Sequence, residues 1–441
     1  MKKILSLVLC TIMLLGAFSG CAPQSGETES TQETTLPPPE HVLKVGYGRV
    51  DVTPRESIPL GGLSNSVVGG SVLDRMHTDV RNPLYATCIA LTDENDYTLL
   101  IYHLDFLNAY NEVFMQAKVK IVRATGIPGN QIMICTTHNH SGPALSATSS
   151  PVIEDYNTAL ANWMADAAVE ALADRKPAKT YVTSTIAENM NFVRHYNLSD
   201  GTVAGDNFGS FKNNTILGHY REVDDEMQLI KFTREGGKDV ILMNWQGHPT
   251  GHGDFRYSIL SCVDETRKVI EKELDCHFAY FLGGSGNVNS SSRIKSEQIP
   301  TTGVYYEALY QKLAMVAKEA SVNFRQVETS AIKLLYQEYA AVDITDETVT
   351  RIIPMHAFSF GDVAFVTAPY EMFCESGMQI KEESPFEMTF VSTCSNGSLS
   401  YIPTLPTFDY NSYEVQMTKF VPGTAEKLVT EYISMLNQIH G

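Results

Sequence analysis

Gln131-Ile132-Met133-Ile134-Cys135-Thr136-Thr137-His138-Asn139-His140-Ser141-Gly142-Pro143 is an apolar run that delivers two histidines and then turns. Gln131 to Thr136 reads as a strand, since a short apolar run bounded by turn residues suits a buried β-segment. Gly142-Pro143 stops that strand from continuing. On extended backbone, residues one apart point to the same side, so His138 and His140 could serve one metal or one substrate. The competing reading of such a pair is two hydrogen-bonded histidines of the surface or core.

Working outward, the same strand pattern recurs at Val42 to Val52, Leu84 to Leu91, Thr98 to Asp105, Thr180 to Thr185, Met227 to Thr233 and Val240 to Trp245. It returns at His277 to Leu282, Thr329 to Tyr336, His356 to Phe360, Val363 to Ala368 and Met388 to Cys394. Helical spacing of Tyr156, Leu160, Met164, Ala167 and Leu172 predicts a helix over Val152 to Arg175. Further helices are expected at Asn108 to Ala124, Asp264 to Leu274, Val304 to Ala320 and Ala425 to Gln438. Closely spaced strand pairs exclude a purely parallel sheet. The expectation is an α/β fold of mixed β-sheets flanked by helices, a layered sandwich, in a single large domain over residues 42–441.

The N-terminal residues read differently. Lys2 and Lys3 precede an apolar run from Ile4 to Phe18, and Ser19-Gly20 leads into Cys21. Residues 1–20 therefore read as an export signal, and its end resembles the lipobox of bacterial lipoproteins, which implies lipidation of Cys21. The other reading is an uncleaved anchor, against which the shortness of the run argues. From Ala22 to Glu40 the chain is Ser-, Thr-, Glu- and Pro-rich without apolar periodicity, so residues 21–41 read as a flexible tether. The expected location is the outer face of a bacterial cell membrane, held by lipid.

Composition narrows the partners. The 441 residues carry a formal charge of −18, which argues against a nucleic-acid backbone as partner. Cys88, Cys135, Cys262, Cys276, Cys374 and Cys394 form no CxxC pair, so neither a zinc ribbon nor a redox dithiol is supported. Most lie in apolar runs and read as buried small hydrophobes, with their pairing left open.

Other chemistry-bearing stretches also follow strands. Asn244-Trp245-Gln246-Gly247-His248-Pro249-Thr250 places a histidine before a proline, where extended backbone is favoured. Gly283-Gly284-Ser285-Gly286-Asn287-Val288-Asn289 fits neither a nucleophile elbow nor a dinucleotide fingerprint and reads as a tight loop bringing backbone near a ligand. Glu371 reads as either a helix N-terminal charge or a ligand, and Tyr401 by itself as packing.

Together these motifs resemble the neutral, non-lysosomal ceramidase family. His138-Asn139-His140-Ser141-Gly142-Pro143 matches that family's H-x-H-S-G-P signature. Asp51-Val52-Thr53-Pro54, the strand ending in Asp105, His248-Pro249-Thr250, Gly286 to Asn289 and Tyr401-Ile402-Pro403-Thr404 follow in the same order. The resemblance implies a zinc-dependent amidase that cleaves an N-acyl amide, ceramide or a related N-acyl lipid foremost, by attack of zinc-bound hydroxide. It implies His138, His248, Glu371 and Tyr401 as Zn2+ ligands. His140 would be the proton carrier and Arg194 the stabiliser of the tetrahedral anion, with Asn287 and Asn289 near the substrate. The family's characterised members carry an additional C-terminal β-sandwich-like domain, which is not expected in residues 42–441. Two other readings stay open: a metal-dependent hydrolase of another ester or amide, and a surface lipoprotein that binds a ligand without turnover. No protein partner is implied.

Overall fold

The computed structural model describes residues 42–63, 71–206, 211, 213–250, 255–301, 303–329 and 331–441. The expected signal and tether, with Cys21, fall on residues 1–41, which lie outside the described residues; the latter all belong to one compact unit.

The larger sheet is built from β1 (Leu43–Asp51), β2 (Tyr85–Thr92), β3 (Thr98–Leu104), β4 (Ile132–Thr136), β5 (Lys176–Ile186), β6 (Glu226–Arg234), β7 (Asp239–Trp245) and β8 (Cys276–Leu282). Their order is β8-β7-β6-β5-β1-β2-β3-β4, with the short strand Arg325–Val327 added on β5. Pairing is parallel only at the two ends, β7 with β8 and β3 with β4. In each of these pairs a helix makes the return, α1 (Asn111–Thr125) before β4 and α3 (Cys262–Leu274) before β8, as parallel neighbours require. Strands covered on both faces need apolar side chains throughout, and β3, β4, β7 and β8 are nearly continuous buried runs.

Helices α1, α2 (Pro151–Ala173), α3 and α4 (Tyr305–Ala320) cover one face of this sheet. A second sheet covers the other face. It consists of β9 (Ile332–Val342), β10 (Thr350–Phe360), β11 (Val363–Thr367) and β13 (Met388–Ser392), in that order. Between β11 and β13 run β12 (Glu371–Met372) and α5 (Cys374–Glu382). After β13 follow β14 (Tyr401–Ile402), α6 (Tyr413–Met417) and α7 (Thr424–His440), and α7 packs on the outside of the second sheet. The mixed, layered α/β architecture expected from the sequence is present.

The core between the sheets is aromatic. Phe365 stacks on Phe358 at 4.8 Å and meets Phe281, Phe360 and Phe390, all fully buried. Phe365→Ala leaves a cavity at this junction and is expected to cost about 3–5 kcal/mol, measured as a lower urea midpoint with unchanged slope.

Two features escape a search for apolar runs. The β9–β10 hairpin pairs in full register from Ile332↔Phe360 to Val342↔Thr350, well beyond the expected Thr329 to Tyr336 and His356 to Phe360. In its outer half Gln337, Glu338, Thr350 and Arg351 interrupt the apolar residues, and side chains such as Glu338, Ala340 and Ile352 face solvent, so the buried positions form no run that stands out. Helix α5 was also not expected; it starts at Cys374, directly after Phe373, which follows the end of β12 at Met372.

Curling of the large sheet positions the strand-end loops. Although β4 and β8 are opposite ends of the strand order, Tyr280 on β8 donates its backbone N–H to His103 Nδ1 on β3 at 3.1 Å. The segment after β13 fills the remaining gap. Thr393 N–H donates to Leu282 O at 2.9 Å and Asn396 N–H to Ile134 O at 2.8 Å. The C-terminal ends of β4, β7 and β8 are thereby gathered at one place.

Candidate metal centre

Three imidazoles meet where these ends converge. His138, His140 and His248 each offer a ring nitrogen, and these atoms lie within 4.8 Å of one another. His138 and His248 are buried, 2% and 1% exposed. The His138–His140 pair does not arise from a strand pleat, as the sequence suggested. His138 has left the strand and sits at φ +59°, a left-handed conformation rare for a side-chain-bearing residue. That local turn, enforced by its surroundings, sets the two rings edge to face at 4.8 Å.

The protonation of each ring follows from its outer partner. His138 Nδ1 lies 2.8 Å from Leu107 O, His140 Nδ1 2.6 Å from Gly62 O, and His248 Nδ1 3.2 Å from Ser285 O. A carbonyl oxygen can only accept, so each Nδ1 must carry the proton. Neutral rings then present bare Nε2 lone pairs inward. His140 Nε2 and His248 Nε2 face each other at 3.0 Å, and His138 Nε2 faces Glu371 Oε2 at 3.2 Å. Acceptor opposite acceptor is repulsive unless a cation lies between them. Glu371 Oε2 is buried without a hydrogen-bond partner among the described residues.

Local electrostatics run the same way. Burial disfavours a charged His138, but Cys394 and the Glu371 carboxylate beside it outweigh this and raise its proton affinity. His248 is held well below the ordinary imidazole range by burial and by the neighbouring His138, His140 and Arg194 charges. Positive charge is thus favoured at His138, beside Glu371, and disfavoured at His248. A buried set of imidazole nitrogens with a carboxylate alongside could hold a metal ion.

The remaining expected residues are close by. Glu371 on β12 pairs in register with Tyr401 on β14. Burial, followed by the Glu371 charge, keeps the Tyr401 phenol protonated far above its usual range. Of the neighbouring tyrosines, Tyr410 instead bonds His195 Nδ1 at 2.8 Å, and Tyr413 meets the Tyr401 ring at 5.5 Å. Arg194, 2% exposed, reaches within 3.5 Å of the Tyr401 hydroxyl. The Nη2 that makes this contact lies 2.6 Å from Glu414 Oε1 and donates to Gly286 O at 2.8 Å, and Nε donates to Glu414 Oε1 at 2.7 Å. Asn289 accepts from Arg194 Nη1 at 3.5 Å and donates to Asp206 at 2.9 Å. Asn287 uses its amide within the chain, accepting from Cys374 N–H and donating to Glu375.

The glycine loop approaches protein backbone on one side. A Cβ on Gly286 would stand 2.5 Å from Glu371 O. Its closeness lets Ser285 O and Gly286 O orient His248 and Arg194. Gly286→Ala is expected to push β12 away and lower metal affinity by about 10–100-fold, the usual effect of disturbing groups that orient ligands. Equilibrium dialysis against zinc checks it.

Sequence reasoning missed Glu414, 1% exposed, which bridges Arg194 and His195. It also missed Cys394, whose Sγ lies 3.3 Å from His138 Nδ1. Nothing in the local sequence marks either. All six described cysteines are buried, and none forms a disulfide among the described residues.

No family model and no curated protein matches the chain. Among solved structures, neutral ceramidase from Pseudomonas aeruginosa aligns with a TM-score of 0.72 at 15% identity, over 90% of this chain and 74% of that one. The fold is that of neutral ceramidase. A ceramidase complexed with C2 aligns with a TM-score of 0.70 at 13% identity, over 91% of this chain and 76% of that one. The ceramidase fold thus extends over nine-tenths of this chain.

Proposed function

We propose that the chain is a zinc-dependent amidase that hydrolyses an N-acyl amide, with ceramide or a related N-acyl lipid as leading substrate. The supporting observation is the inward set of Nε2 lone pairs, left unprotonated because each Nδ1 donates to a backbone carbonyl. In this reading His138, His248, Glu371 and Tyr401 hold the ion. When bound, zinc supplies Lewis acidity to a substrate carbonyl and acidifies water.

The chain's own residues do the rest. His140 is fixed by Gly62 O and turns its Nε2 toward the centre. There it takes up a proton and returns it to the departing amine. Its nearness to His248 also gives it the geometry of a further donor to the ion. Arg194 stays cationic, because Glu414 and Tyr401 outweigh burial, and it stands ready to stabilise a developing oxyanion. The ceramidase complexed with C2 supports a ligand of the same type for this fold.

A panel of a fluorescent acyl-sphingosine, an N-acetylated sugar and a fatty ester, each incubated with zinc-loaded protein, tests this reading. Release of fatty acid from the acyl-sphingosine is expected. Exclusive cleavage of the ester or the sugar amide would move the assignment to another bond. No turnover with zinc bound would make the chain a ligand-binding protein. Export and anchoring through Cys21 belong to the same proposal, and loss of palmitate labelling in Cys21→Ser checks them.

A further inference from the structure

Helix α1 and the β9–β10 hairpin leave a cavity of about 640 Å³ between them. Small-molecule sites span roughly 300–1,000 Å³. Its walls are largely apolar, with Phe114 and Met115 from α1, Ile134 from β4 and Pro354 from β10. It shares no lining residue with the histidine group. Two basic side chains, Lys118 and His356, interrupt the apolar wall.

Neither is accounted for by the fold. Lys118 has no hydrogen bond or ion pair among the described residues. His356 is 8% exposed, and its Nδ1 has no hydrogen-bond partner there. Burial draws the Lys118 ammonium down to about 8 and the His356 imidazole to about 4. At neutral pH the lysine therefore remains mostly cationic and the histidine neutral. The acid among the lining residues is Glu112, exposed in the first turn of α1, six residues from Lys118 and so not its helical neighbour. A partly buried cation and an unpartnered buried imidazole both carry a desolvation cost that an anionic group would offset.

Apolar surface continues from the cavity outward. Met115 and Tyr336 on its lining are 68% and 48% exposed. Val119 lies one helical turn beyond Met115, and Ile352 lies on the same strand face as Pro354; they are 49% and 50% exposed. Four exposed apolar side chains next to an enclosed cation suit a ligand with a charged head and an apolar tail.

We propose that this cavity binds a monocarboxylate with a flexible apolar chain, its carboxylate at Lys118 and His356 and its chain over Phe114 and Met115 toward the exposed surface. The proposal does not rest on the hydrolytic reading. A fatty acid is the simplest molecule of this class.

Residue-specific labelling provides the test. The full chain is treated at pH 8 with an amine-acetylating reagent, and Lys118 labelling is followed by peptide mass spectrometry, with exposed Lys427 as internal reference. Laurate below its micellar range is expected to slow Lys118 acetylation about 10-fold, equivalent to about 1.4 kcal/mol of protection, while acetate and dodecanol do not. Titration calorimetry supplies an independent readout: Lys118→Met is expected to bind laurate at least about 10-fold more weakly at an unchanged melting temperature. Equal labelling with and without laurate, equal protection by dodecanol, or undiminished laurate binding by Lys118→Met would each overturn the proposal.

Discussion

His248→Ala protein is expected to purify folded, without bound zinc and without amide hydrolysis above background, and His138→Ala protein to behave alike. Each substitution removes an Nε2 lone pair from a group whose members lie within 4.8 Å of one another. His248→Ala also relieves the contact of His140 Nε2 with His248 Nε2, whereas His138→Ala removes the partner of Glu371 Oε2. Stability of the metal-free His248→Ala protein should therefore fall little, and in both variants the metal-dependent part is lost, since an ion that binds only the folded state adds to its stability. His140→Ala separates the two roles open to that ring. As proton carrier its loss lowers kcat by about 10²–10⁴-fold with zinc retained. Zinc measured by plasma mass spectrometry alongside kcat decides the matter. Full zinc occupancy in either the His138 or the His248 variant would remove that residue from the ligand set.

Glu414→Leu is expected to destabilise the fold by about 3–5 kcal/mol, because it leaves the buried Arg194 charge without its partner. Glu414 also accepts from His195 Nε2 at 3.0 Å, so a second buried group is stranded. The same logic gives a pH dependence. Burial opposes ionisation of Glu414 and Asp105, yet Arg194 and His195 hold Glu414 well below the usual carboxylate range, and Arg267 and His103 do the same for Asp105. In the unfolded chain such carboxyls titrate near pH 4. Between that value and the lower folded ones the unfolded state binds more protons, so stability rises with pH. It is fully present above about pH 5 and is lost as the pH falls through the carboxylate range and below. Thermal melts of chelator-treated protein from pH 6 to 3 should show this decline. A reduced slope is expected for Asp105→Asn, whose wild-type side chain accepts from Arg267 at 3.0 Å.

How far the sequence could be read depended on how local the cause was. Strands β3, β4, β7 and β8 are apolar throughout because both faces are covered, and that is visible residue by residue. Pro151 at the first turn of α2 and left-handed Gly126 after α1 are equally local signals. The outer part of β9 and β10 was missed because Gln337, Glu338, Thr350 and Arg351 break its apolar pattern, and its strand character comes from the partner across the hairpin.

The centre divides in the same way. The amino-acid order alone determined that histidines stand at the ends of β4 and β7 and that a glycine loop follows β8, because turn chemistry and apolar runs are short-range. Tertiary structure alone decided that these ends meet. Their meeting depends on the curl that joins His103 to Tyr280 and on the Thr393–Asn396 segment bonded to Leu282 and Ile134. It also decided that Cys394 touches His138 and that Glu414 anchors Arg194, 220 residues away in the chain. Direction of the lone pairs is likewise a tertiary property. Each Nε2 points inward because Leu107, Gly62 and Ser285, far apart in sequence, place their carbonyl oxygens against the opposite side of each ring.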